Sequence, residues 1–154
     1  MHLPSEHPER LPLAGLLPGT VRGLDHVGIV VRNATAAAAT FTTLLGLGLV
    51  HDETLPHLNV HLSYLQTGGQ AGAGTFLQLV EPTGPGPVME FLDSHGEGLH
   101  HVCFAVDDAE AAVVAAGGTA AAVFPGGRGR RCVFLAQQPH GVLVELTEGQ
   151  EAAR

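Results

Sequence analysis

Gly23-Leu24-Asp25-His26-Val27 returns as Gly98-Leu99-His100-His101-Val102 after an interval of 75 residues. The correspondence runs on through Val31 and Val106, Asn33 and Asp108, and Ala34 and Ala109. In each copy the glycine opens an apolar run too short for a surface helix, and an Ala-rich segment follows a residue able to cap it. A constant interval over such a stretch marks one supersecondary unit used twice in a chain of 154 residues. The same frame sets one histidine, His26 or His101, at an equivalent place in each unit.

Working outward, residues 26–31 read as a strand, Asn33 as the cap of a helix over Ala34–Leu45, and Gly46 as its stop. Residues 49–54, 59–67 and 75–81 read as three strands, parted by Pro56-His57 and by the glycine-rich 68–74. A connector over 83–97 holds Thr83-Gly84-Pro85-Gly86-Pro87 and a short helix over 88–94. The second unit repeats the order: a strand over 101–106, a capping box of Asp107 and Glu110, a helix over 109–116 and Gly117-Gly118 as its stop. Strands over 119–124, 131–136 and 141–147 complete it. The expected class is α+β. Two tandem βαβββ units, 23–82 and 98–148, form a curved mixed sheet with a shared metal-binding cleft in one domain spanning 21–148. Residues 1–20 read as a flexible extension and 149–154 as a frayed tail.

Composition narrows the class of function. With 45% apolar and 14% charged residues the chain is a globular type with enough length for a sizeable core. No apolar run of about 18 residues exists, so no membrane helix is expected. The start does not read as a signal peptide, which points to the cytoplasm. A formal charge of −8, with arginine supplying all seven cations, disfavours nucleic acid as a partner. Arg128, Arg130 and Arg131 cluster in a glycine-rich stretch; they suit either a solvated loop or a seat for a substrate carboxylate or phosphate. Cys103 and Cys132 lie in apolar runs and read as small buried hydrophobes rather than as a disulfide.

The chemistry gathers on the first and last strands of each unit. Alternation puts His26, Gly28 and Val30 on one face, and likewise His101, Cys103 and Ala105. The closing strands match too, with Gln78 and Glu145 each a lone polar residue in an apolar run. Burying such a group costs several kcal/mol unless it is paired or coordinated, roughly 2–7 for an amide. A single strand histidine is commonly a satisfied core group. Two at equivalent positions, each with a polar residue on a partner strand, favour ligation. His26, Gln78, His101 and Glu145 offer two imidazoles, an amide oxygen and a carboxylate, a set for one divalent ion of cobalt, manganese, nickel, zinc or iron. His100 points away from His101 and reads as structural or as a support behind the ligands, while His51, His57, His61, His95 and His140 have no mate in the repeat.

The repeated units, with ligands on first and last strands, resemble the vicinal-oxygen-chelate superfamily of glyoxalase I, extradiol dioxygenases and antibiotic-resistance proteins. Within it the likeness is strongest to the methylmalonyl-CoA epimerases. It is carried by Leu24-Asp25-His26-Val27-Gly28-Ile29, Gln78-Leu79-Val80-Glu81-Pro82, Phe91-Leu92, Gly96-Glu97-Gly98-Leu99-His100-His101-Val102-Cys103-Phe104, Val106-Asp107-Asp108 and Gly141-Val142-Leu143-Val144-Glu145-Leu146, spanning 24–148. The resemblance implies that His26, Gln78, His101 and Glu145 ligate the metal, and that Glu145 also acts as catalytic base in removing a proton α to a carbonyl. It implies a small-molecule substrate, a thioester or hemithioacetal, and a homodimer. Alternatives within the superfamily are a lyase of the glyoxalase I type, a dioxygenase and a drug-binding resistance protein. Where epimerases can carry a second acidic base, on the third strand of the first unit, this chain has Leu62 between His61 and Ser63. The family's Gly-Ala-His-Gly element is Gly126-Gly127-Arg128-Gly129 here, and the lysine of its following His-Pro-Lys has no counterpart.

Overall fold

A computed structural model describes residues 15–67 and 74–149. Two units emerge: His26–His100, and residues 15–25 together with 101–149. The expected extension and tail, apart from residues 15–20 and Gly149, lie outside the described residues, as does most of the 68–74 spacer.

The first unit has the order βαβββ. Strand β1 (Gly23–Val30) leads into helix α1 (Ala34–Leu45), then β2 (Gly48–Leu55), β3 (Val60–Gln66) and β4 (Phe76–Pro82). Its strands lie in the order β2-β3-β4-β1, with β1 parallel to β4 and the other pairs antiparallel. Helix α1 begins where expected: the Asn33 side chain accepts from the Ala36 amide at 2.9 Å. It ends at Gly46, whose φ of 71° is a left-handed conformation that costs glycine nothing. Side-chain alternation then does the packing. Ile29 and Val31 pack with Ala34, Ala38, Phe41, Leu65, Leu77 and Leu79 beneath α1. On the opposite face, Val30, Val60, Leu62, Tyr64, Val80 and Phe76 pack with Leu92, Val88 and Phe91 of α2 (Pro87–His95).

The second unit repeats the order with β5 (Gly98–Val106), α3 (Ala109–Ala115), β6 (Phe124–Pro125), β7 (Arg131–Phe134) and β8 (Val144–Glu148). Strand β5 runs parallel to β8, and β7 is antiparallel to both β8 and β6. Val106, Ala109, Val113, Ala122, Val133 and Leu146 form its core. Gly126 is required by a close approach, since a Cβ there would sit 2.5 Å from Cys132 Sγ. Both cysteines are free and buried.

Three local expectations are corrected. The helix cap of the second unit is Asp108, whose side chain accepts from the Ala111 amide at 2.9 Å, and not Asp107. Asp107 instead holds Arg22 at 2.7 Å, and Glu110 faces Arg131 at 3.3 Å, so neither closes a capping box. The strand expected over 119–124 is a short 3-10 turn at Ala120–Ala122 followed by the two-residue β6. Three consecutive alanines have little side chain to hold a pleated surface together, and Ala122 is instead tucked into the core. The strand expected over 141–147 likewise begins later, at Val144, after a turn over Pro139–Gly141.

The duplication extends to the helix entrances. Glu81, at the end of β4, accepts from the Ala34 amide at 2.7 Å; Glu148, at the end of β8, accepts from the Ala109 amide at 3.1 Å. In both units the closing strand thus places a carboxylate on the positive end of its own helix.

Candidate metal centre

Each unit carries half of the expected ligand set on its first and last strands. In the first, Gln78 on β4 lies opposite Tyr64 on β3 and beside Gly28 on β1. Residues directly opposite across a sheet share a face, so Gln78 and Tyr64 emerge on the side that carries His26. Gln78 Nε2 donates to Tyr64 Oη at 2.8 Å, and the His26 ring meets Tyr64 edge-on at 5.8 Å. The tyrosine thereby orients the amide. With Nε2 engaged, Gln78 Oε1 is left buried with no hydrogen-bond partner. A buried acceptor of this kind needs an occupant, because leaving it unmet costs about 1–3 kcal/mol.

In the second unit His101 Nε2 lies 3.4 Å from Glu145 Oε1, with both side chains more than nine-tenths buried. The His101 ring also meets Phe134 edge-on at 5.8 Å. Cys103, opposite Glu145 in the β5–β8 register, has its thiol pushed well up by burial and then by the Glu145 charge, as befits a neutral filler. Cys132 behaves alike, raised first by burial, and its Sγ lies 3.3 Å from Thr147 Oγ1. His100 packs edge-on against Phe91 at 4.9 Å.

The arginine cluster is occupied by the chain's own acids. Arg128 forms an ion pair with Asp25 through Nη2 and a further contact of 3.4 Å from Nη1, and Arg130 Nη1 lies 3.6 Å from Asp25 Oδ1. All three side chains are largely buried. Arg131 binds Glu148 at 2.7 Å, Glu110 at 3.3 Å and Asp108 at 3.4 Å. A substrate anion at these guanidiniums would therefore compete with protein carboxylates.

Four residues of this region were given no part in the site by sequence reasoning. Tyr64 sits in an apolar strand with nothing in its spacing to set it apart. Gln66, two residues on, faces the same side and buries an Nε2 with no partner. Glu53 lies on β2 directly across from Leu62, and His51 lies across from Tyr64. The only signal for the last two was the alternation of β2 itself, whose opposite face carries Asp52.

The family described as the glyoxalase/bleomycin resistance protein/dioxygenase superfamily matches residues 25–148. The chain belongs to this superfamily. It is 33% identical over 132 residues to the uncharacterized protein YqjC of Bacillus subtilis, covering 81% of this chain and 91% of that one. It is 31% identical over 133 residues to the mitochondrial methylmalonyl-CoA epimerase of Homo sapiens, covering 81% and 73% of the two chains. Among solved structures it is similar to a Streptomyces coelicolor methylmalonyl-CoA epimerase variant in complex with 2-nitronate-propionyl-CoA, with 29% identity, a TM-score of 0.73, and 86% and 99% of the chains covered. A superfamily with several chemistries is thus represented among these relatives, where an activity is named, by epimerases. No helix among the described residues is long and apolar enough to cross a membrane.

Proposed function

We propose that this superfamily member is a divalent-metal-dependent isomerase that removes and returns a proton α to a carbonyl, acting on methylmalonyl-CoA or a closely related acyl thioester. His26, Gln78, His101 and Glu145 hold one divalent cation. The observation that carries this reading is the buried, unpartnered Oε1 of Gln78, kept in that orientation by Tyr64. The donor set agrees with it: two imidazoles, an amide oxygen and a carboxylate suit a borderline or hard cation such as cobalt, manganese, nickel, zinc or iron. The similarity to named epimerases, one of them bound to a CoA thioester, supports the substrate class.

A cation held there supplies Lewis-acid stabilisation to the negative charge that develops on a carbonyl oxygen when the α-proton leaves. The chain's own residues do the rest. Tyr64 holds the Gln78 amide, and Glu145 is the carboxylate that takes up the proton. The apolar groups around them, among them Phe134 beside His101, keep bulk water from the carbanion. Lyase, dioxygenase and drug-binding readings gain no support from these relatives. The homodimer and the cytoplasmic location implied by the family likeness belong to the same proposal, to be checked by sedimentation and by cell fractionation.

The test is deuterium exchange. Protein reconstituted with a divalent ion and mixed with methylmalonyl-CoA in heavy water is expected to place deuterium at the α-carbon, with one ion bound per chain. Absence of exchange with every one of the five metals would defeat the proposal.

A further inference from the structure

Inversion at an α-carbon sets a requirement that Glu145 alone does not meet. The C–H bond breaks on one face and its electron pair passes into the enolate; the new C–H bond forms on the other face. A base that accepts the first proton lies on the wrong side to supply the second. A second proton carrier must come from another element, and Leu62 offers no ionisable group.

We propose that Glu53, on the edge strand β2, is that second carrier; this rests on the function proposed above. Glu53 lies directly across from Leu62, and Leu62 from Val80, in the same row of the sheet. The adjacent row on that face runs His51, Tyr64, Gln78. The His51 ring lies 5.7 Å from that of Tyr64, so β2 presents this pair of residues on the face that carries Gln78. Among the described residues of β1 to β4, Glu53 is the one carboxylate on that face. Asp52 points the other way, where Ser63 donates to it at 2.5 Å and His61 lies 2.9 Å from it. Glu81 is spent on the amide of Ala34.

His51 gives the carboxyl a route to solvent. Its Nε2 lies 2.9 Å from Glu53 Oε2, and the two side chains are 41% and 21% exposed. In one direction of reaction Glu145 accepts the α-proton as the C–H bond breaks. Glu53, starting protonated, gives its O–H proton to the opposite face of the enolate and is left as carboxylate. Water then restores the Glu53 proton by way of His51, and Glu145 releases the proton it took. The reverse reaction exchanges the two roles.

The experiment follows each epimer of methylmalonyl-CoA separately in heavy water, with metal-loaded protein. Wild-type protein is expected to invert both epimers with α-deuterium incorporation. Glu53→Gln should slow inversion by about a hundredfold or more, within the contribution general acid–base groups make. It should keep its bound metal and still exchange the α-proton of one epimer, with retention, through Glu145. Glu53→Asp should recover part of the inversion, showing that the strand is intact. Inversion by Glu53→Gln at the wild-type rate, or loss of exchange from both epimers alike, would overturn the role of Glu53. A wild-type protein that exchanges neither epimer would instead remove the proposed function itself.

Discussion

Tyr64 shows how a residue without chemistry of its own selects the chemistry of a neighbour. An amide can present either oxygen or nitrogen, and the hydroxyl at 2.8 Å from Gln78 Nε2 makes the oxygen the free end. Tyr64→Phe keeps the ring and its contacts with His26 and Phe76 but removes that partner. We expect the variant to fold normally and to bind divalent metal about 10- to 100-fold more weakly, the usual penalty for losing a group that orients a ligand. Competition titration against a chromophoric chelator measures this; unchanged affinity would mean that Tyr64 does not orient the ligand. The candidate ligands themselves were legible in sequence because the repeat singled out His101 over His100 and paired Gln78 with Glu145. Tyr64 was not legible, since its part depends on a residue that β3–β4 pairing brings across the sheet.

At the scale of elements, the helix caps are where the repeat proved more informative than local pattern. Asp107 with Glu110 has the form of a capping box, yet Asp108, the counterpart of Asn33, is the cap. Asn33→Ala and Asp108→Ala should each cost about 1 kcal/mol, the usual value of a cap, read as a lower urea midpoint with an unchanged slope. Asp107→Ala, which loses an exposed pair with Arg22, should change stability much less. The β2–β3 pair adds a pH dependence. The hydrogen bond from Ser63, with help from His61, holds the Asp52 carboxyl below its usual range. A carboxyl depressed in the folded state contributes stability above its unfolded value, near 3.9 for an ordinary aspartate, and loses it as pH falls through the folded value. Ser63→Ala should therefore be less stable than wild type at neutral pH, and the gap should close as pH falls through the lowered pKa of Asp52. A gap that stays constant with pH would assign the effect to packing of the buried Ser63 rather than to the bond. Residues 119–124 were misread at this scale because short apolar stretches of alanine fit a strand or a turn equally well, and only packing of Ala122 decides.

For the molecule as a whole, the proposed cation would be coupled to folding. Ligands drawn from strands far apart in sequence do not form a site in the unfolded chain, so metal affinity adds to stability. At free metal 100 times the dissociation constant the gain is about 2.7 kcal/mol, and a chelator should remove it. Calorimetry with and without chelator checks this, and a melting temperature indifferent to metal would count against the four-residue ligand set. The sequence by itself determined the α+β class, the two βαβββ units and the residues to watch, because periodicity, caps and an internal repeat are local or self-referential signals. Only the tertiary structure decided which end of the Gln78 amide is free, which face of β2 carries Glu53, and that Arg128 is engaged by Asp25 across 103 residues of chain. These outcomes depend on side chains that strand pairing and burial bring together, and desolvation then obliges each buried polar atom to find a partner.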